Sequence, residues 1–227
     1  RFRGKPLVEI LGVPMLVRTY QQIVKVVDRE NILVATDHPE IVELCVKHNM
    51  NFVLTSVNCL TGTDRVAEVA GVFPARRYIN VQGDEPIFNP RDVEQFLKIA
   101  LASTYSVIAG YTAIKDKESF HSRNIPKVVI NRKSELLYMS RAPIPGSKDG
   151  VCNVAYRQVC IYSFSPSALH FFTGHKSKTP LEEIEDIEIL RFLEMGFEVR
   201  MIELSPNSIA VDVPEDINKV LKKLDEY

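Results

Sequence analysis

The sequence predicts an α/β sheet protein, and three observations point there. Helical and extended patterns alternate along the whole chain with no linker between them, which marks βαβ connection rather than a sandwich or a bundle. Two short apolar runs, NILVAT at 31–36 and YINV at 78–81, suit strands buried on both faces of a sheet. The second runs straight into Gln82, Gly83, Asp84 and Glu85. Polar groups then stand at the carboxyl end of a strand, where open α/β sheets bind ligands.

Taken in order, a stripe of Met15, Leu16, Ile23 and Val27 predicts a helix over 14–27, followed by the strand at 31–36. A second helix is expected over 39–47, then a strand at 52–55, a short helix at 63–70 and the strand at 78–81. The unit repeats with a helix over 92–101 and a strand over 106–113, and two extended segments follow at 127–130 and 136–139. Pro143, Pro145, Gly146 and Gly150 make 140–150 a loop. A strand is expected over 154–164. Beyond it, Thr179 as N-cap, Pro180 at the first helical position, Glu182 at the third and Gly196 as terminator predict one continuous helix. A strand over 197–204, a short one at 209–211 and a helix from Pro214 to about 224 complete the chain.

With 227 residues the chain is long enough for one well-cored domain, and a single domain over 1–227 is expected. Lys and Arg total 28 against 29 Asp and Glu, a net charge of −1. That balance supplies no positive field to gather nucleic acid or an anionic membrane. No run reaches the roughly 20 apolar residues of a membrane span. Cys45, Cys59, Cys152 and Cys160 form no C-x-x-C pair and have no histidine at zinc-ligand spacing. They read as buried thiols in a reducing compartment, the cytoplasm.

Neither a G-x-G-x-x-G nor a G-x-x-x-x-G-K-[ST] run is present, so phosphate binding needs another device. RFRGKPL at 1–7 offers Arg1, Arg3 and Lys5 around Gly4. Such a loop can wrap a triphosphate, and three basic residues also suit a solvated face. In NVQGDEP at 80–86, Asp84 is the type of strand-end carboxylate that holds magnesium together with waters and phosphate oxygens. Gly83, Asp84 and Pro86 equally suit a plain turn. Asp212 in IAVDVPED repeats the strand-end placement, with stabilisation of the following helix dipole as its other role. TGTDR at 61–65 opens a helix whose N-terminus suits an anion or nucleotide, with Arg65 able to grip a carboxylate. An ordinary threonine cap with a surface arginine fits the same residues. Glu182 is by default the capping-box partner of Thr179.

In this order, RFRGKPL, ILVATDHPEIVE, TGTDRVAEV, YINVQGDEP, PKVVIN with LLYMSRAPIP, CIYSF, TPLEEIEDIEILRFLEMG and VDVPEDI resemble the 3-deoxy-manno-octulosonate (Kdo) cytidylyltransferase family over nearly the whole chain. The resemblance implies a Rossmann-like nucleotide-diphospho-sugar transferase fold with a mixed, mostly parallel sheet flanked by helices. It implies that CTP activates Kdo or a close 3-deoxy-2-ulosonate as its CMP derivative, with release of pyrophosphate, for lipopolysaccharide or capsule synthesis. By the same resemblance Arg1 and Lys5 bind the triphosphate, and Thr61, Gly62 and Thr63 lie near the nucleotide. Asp84 and Asp212 hold Mg2+, and Arg65, Gln82 and Glu182 contact the sugar. Gln158 stands where the family usually has a sugar-contacting histidine, and it can exchange hydrogen bonds but carry no charge. The family also implies a homodimer joined through about 136–164, and a strand and loop ahead of the opening RFRGKPL. The alternatives are a CMP-nonulosonate synthetase and a non-catalytic nucleotide-binding paralogue.

Overall fold

The computed structural model describes residues 4–148, 154–174 and 177–225. Gly4, at φ 70°, turns the chain into a short 3-10 turn, Lys5–Leu7. Strands β1 (Glu9–Ile10) and β2 (Val13–Pro14) form a small hairpin across Leu11 and Gly12, both at positive φ. Two-residue strands are too short to carry a period, so sequence patterning passes over them. Helix α1 (Met15–Ile23) ends earlier than expected and buries Met15, Val17, Tyr20 and Ile23. The expected strand at 31–36 shortens to β3 (Val34–Thr36), which pairs in parallel with β4 (Phe52–Leu54) across α2 (Pro39–Lys47).

The remaining elements are α3 (Gly62–Val72), β5 (Tyr78–Val81), α4 (Pro90–Ala102), β6 (Val107–Ala113), α5 (Lys117–His121), β7 (Lys127–Ile130), β8 (Leu136–Ser140), β9 (Tyr156–Phe164), α6 (Pro166–Thr173), α7 (Pro180–Glu185), α8 (Ile189–Glu194), β10 (Val199–Glu203) and α9 (Pro214–Leu224). Helices α2, α4, α6, α7 and α9 all open on proline, whose fixed φ and missing N–H cost nothing in a first turn.

Three expectations change. The single helix from Pro180 to Gly196 is two helices, broken where Asp186 takes the left-handed conformation at φ 50°. The Arg141 side chain accounts for the break: its Nε donates to the Glu185 carbonyl at 2.6 Å and its Nη2 to the Asp186 carbonyl at 3.0 Å. Those carbonyls are satisfied without a continuing helix. Residues 209–211 form no strand, although Val211 N–H donates to the Asp84 carbonyl at 2.9 Å. Helices α5 and α6 were not expected.

The main sheet has six strands among the described residues. Strand β10 runs parallel to β6, and β5, β6 and β7 each run antiparallel to β9, with β8 antiparallel to β7. The sheet is therefore mixed, as predicted, and β5, β6, β7 and β10 share one direction. On one edge β9 pairs with β6 along its length. On the other edge β5 takes residues 161–164 and β7 takes 156–157, so the sheet forks around Gln158 and Cys160. Behind it, Phe164, Phe172 and Phe192 stack with centroids 5.3 and 4.9 Å apart, all fully buried. Each such ring contributes roughly 2–3 kcal/mol by burial.

Candidate active site

The fork in the sheet opens into a cavity of about 390 Å³, lined in part by Lys5, Thr61, Gly62, Gln82, Asp84, Gln158 and Asp212. Its floor is the end of β5. There Gly83 packs its backbone so closely on α1 that a Cβ would stand 2.9 Å from Leu16 Cδ1. The Asp84 carbonyl accepts from Val211 N–H, and this bond brings the next residue, Asp212, to the same place.

Lys5 Nζ lies 2.7 Å from Asp84 Oδ2 and 3.3 Å from Asp212 Oδ1. Burial works to lower the Lys5 pKa, but Asp84 and Asp212 together outweigh it, and the net shift is upward. Burial raises the pKa of Asp84, opposed by Lys5 and reinforced by Asp212. Asp84 Oδ1 is buried with no hydrogen-bond partner. Beside it, fully buried Glu85 is pushed up to about 7, by burial first and then by Asp84, while accepting from Cys160 N–H at 3.1 Å.

This donor set suits a hard divalent cation: two carboxylates, one with an orphaned oxygen, already drawing in a cationic head. Among the described residues no group of three or more His, Cys, Asp or Glu forms a metal cluster. Two carboxylates would leave the other positions of such an ion to ligand phosphates and water.

The opposite wall is the start of α3. Thr61 caps that helix in a capping box with Asp64. Glu188, at the head of α8, accepts from Thr63 N–H and from Gln82 Nε2, both at 2.9 Å. Burial raises the Glu188 pKa against those hydrogen bonds. The Gln158 side chain contacts the Tyr162 hydroxyl through Nε2, and its Oε1 is buried without a partner.

Thr63 sits one layer behind the cavity, fully buried, and gives its N–H to Glu188. Two residues expected at the sugar lie away from the cavity lining. Arg65 does not line the cavity: it pairs with Asp37 at 2.9 Å and donates to Thr55 Oγ1 and the Ser56 carbonyl. Glu182 is fully enclosed, with both oxygens on Arg191 at 2.5 and 2.7 Å. Its capping-box role holds alongside this ion pair. Arg1 lies outside the described residues, as does Cys152; Cys45 is buried, and Cys59 and Cys160 are half-buried.

Arg141, Lys178, Asp186 and Glu188 also line the cavity and were not anticipated. Glu188 and Asp186 fell inside what looked like one uniform helix. The signal that could have found them is the acidic run EEIEDIE at 182–188, which carries more carboxylates than helix capping needs.

A carboxylate just past a strand end, a second brought beside it by a backbone bond, and a helix N-terminus lining the same cavity, on a mixed α/β sheet, are the makings of a nucleotidyltransferase. The solved structure of CMP:2-keto-3-deoxy-manno-octonic acid synthetase complexed with CTP matches with a TM-score of 0.88 and 31% identity, covering 100% of this chain and 93% of that one. HddC from Yersinia pseudotuberculosis shares the fold, with a TM-score of 0.71 at 15% identity over 99% of this chain and 94% of that one. The 3-deoxy-manno-octulosonate cytidylyltransferase of Geobacter metallireducens is 36% identical over 100% of this chain and 94% of its own length. That of Wolinella succinogenes is 36% identical over 98% and 93%. With the cytidylyltransferase family model matching residues 1–204, the chain belongs to that family, among the 3-deoxy-manno-octulosonate cytidylyltransferases.

Proposed function

We propose that this chain couples CTP to Kdo, giving CMP-Kdo and pyrophosphate, for lipopolysaccharide or capsule synthesis. The observation that carries it is the Lys5 ammonium held between Asp84 and Asp212 at the mouth of a forked sheet, in a chain of this family. The anomeric hydroxyl of the sugar attacks the α-phosphate of CTP in line. The bond from that phosphorus to the bridging oxygen breaks, pyrophosphate leaves and the hydroxyl proton is lost. There is little covalent work for the protein to do, so rate comes from positioning and charge neutralisation.

Asp84 and Asp212 would hold Mg2+, which neutralises phosphate charge and makes a bound hydroxyl easier to deprotonate. Lys5, which lies between the two carboxylates, and Arg1 would bind the triphosphate. Thr61 and Gly62 line the nucleotide side, and Thr63 supports them from behind. Gln82, held by Glu188, and Gln158 contact the sugar. The segment 136–164 leaves Leu137 and Val154 well exposed, which supports a homodimer joined there. The free thiols of Cys45, Cys59 and Cys160 fit a reducing cytoplasm. Among the described residues no helix is long and apolar enough to cross a membrane.

Pyrophosphate release from CTP and Mg2+ is expected with Kdo and not with N-acetylneuraminate. Release with N-acetylneuraminate alone would transfer the assignment to a nonulosonate synthetase, and CTP binding without any release would make the chain a binding module.

A further inference from the structure

Arg191 is completely buried, its guanidinium bidentate on an equally buried Glu182 and 3.8 Å over the ring of Phe172. Desolvating such a pair costs about as much as the pairing returns, and apolar residues of similar volume would hold the two helices as well. What apolar residues would not supply is the third contact. Arg191 Nη1 reaches 3.3 Å to Asp64 Oδ1, and the other oxygen of Asp64 accepts both the N–H and the hydroxyl of Thr61 at 2.7 Å.

Three residues earlier on the same turn, Glu188 accepts Thr63 N–H at 2.9 Å. The start of α8 therefore grips the chain on both sides of Gly62, holding Thr61 before it through Asp64 and Thr63 after it through Glu188. Gly62 itself lies against the polar ends of Asn80, Gln82 and Glu188, which a Cβ there would meet at 3.6–3.8 Å. A short wall of backbone and hydroxyl is thus held in one conformation with nothing bulky on it.

We propose that Arg191 is a positioning residue for the Thr61–Gly62 wall of the cavity, acting through Asp64, with Glu182 as the counter-ion that fixes its guanidinium. The inference rests on the assignment of this wall to the nucleotide. Arg191 touches no substrate. It sets the rotation of the Asp64 carboxylate, and through it the direction of the Thr61 amide and hydroxyl.

The discriminating variants are Asp64→Asn, at a half-buried position, and Arg191→Lys, which keeps the charge and loses the planar fork. Each is expected to raise KM for CTP by about tenfold, the loss of one charge-assisted contact, with kcat and the sugar KM within about twofold. A merely structural ion pair would instead lower the melting temperature and the active fraction with KM for CTP unchanged, and that result overturns the proposal. If Arg191→Lys does not fold, Asp64→Asn decides alone. Should the wild type not turn over CTP, the assignment of function fails separately. The backbone amide resonances of Thr61 and Gly62 in unliganded Asp64→Asn protein then decide: displacement or broadening confined to that wall supports positioning, and unchanged resonances refute it.

Discussion

Asp84 and Asp212 come from distant parts of the sequence and share a single ammonium, that of Lys5. The join is made by backbone, since Val211 N–H on the Asp84 carbonyl fixes the approach of the second carboxylate. The two carboxylates are thus partly charge-compensated by one ammonium.

Asp84→Asn removes one of two proposed metal ligands and the shorter of the two Lys5 contacts. We expect kcat to fall by about 10²-fold or more, the scale for losing one preorganised electrostatic contact. Asp212 still holds Lys5, so the fold should persist. The checks are steady-state rates across Mg2+ concentrations and the circular dichroism spectrum. Full activity at ordinary Mg2+ would remove Asp84 from the site.

Gln158→Ala deletes a buried acceptor, Oε1, that has no protein partner. If that atom faces the sugar, its loss raises the sugar KM by about tenfold, the worth of one hydrogen bond, and leaves KM for CTP unchanged. Initial rates with each substrate varied in turn separate the two constants. An equal rise in both would place Gln158 in general support of the fork instead.

Lys127 is fully buried and donates to the carbonyls of Ser122, Ile125 and Arg141 at 2.6–2.7 Å. It ties together the loop and strand end that supply Asn124, Pro126 and Arg141 to the cavity. Burial, then Arg141, pushes its pKa down from 10.5 to about 8. Between those values the unfolded chain holds the proton that the folded chain has released, so stability rises with pH across that window, by up to about 3 kcal/mol. Lys127→Met should abolish that rise and, at neutral pH, cost about 2–4 kcal/mol by stranding three carbonyls. Urea melts from pH 7 to 10.5 on both proteins measure each effect. A slope retained in the variant would assign the titration elsewhere.

Helices α2 and α9 were legible to the residue at their starts because Pro39 and Pro214 mark a first turn. Strand β5 was legible because Tyr78, Ile79 and Val81 make a mainly apolar run that ends on polar groups. Asp84 could be read as a carboxylate just past a strand end, but Asp212 follows no strand, and that the two converge could not be read, since the approach runs through a backbone bond from Val211. The break at Asp186 was invisible because the Arg141 guanidinium that satisfies the freed carbonyls belongs to a distant segment. The partner of Glu182 was invisible for the same reason. A carboxylate near a helix start looks the same in sequence whether it faces a ligand or a buried arginine, and only Arg191 on the next helix decides.

The most direct measurement is mass spectrometry of the products from CTP, Kdo and Mg2+ with the wild-type enzyme. The account predicts one CMP-Kdo and one pyrophosphate for each CTP consumed. Orthophosphate as the released product, a sugar carrying two phosphates, or CTP and Kdo recovered intact would contradict it.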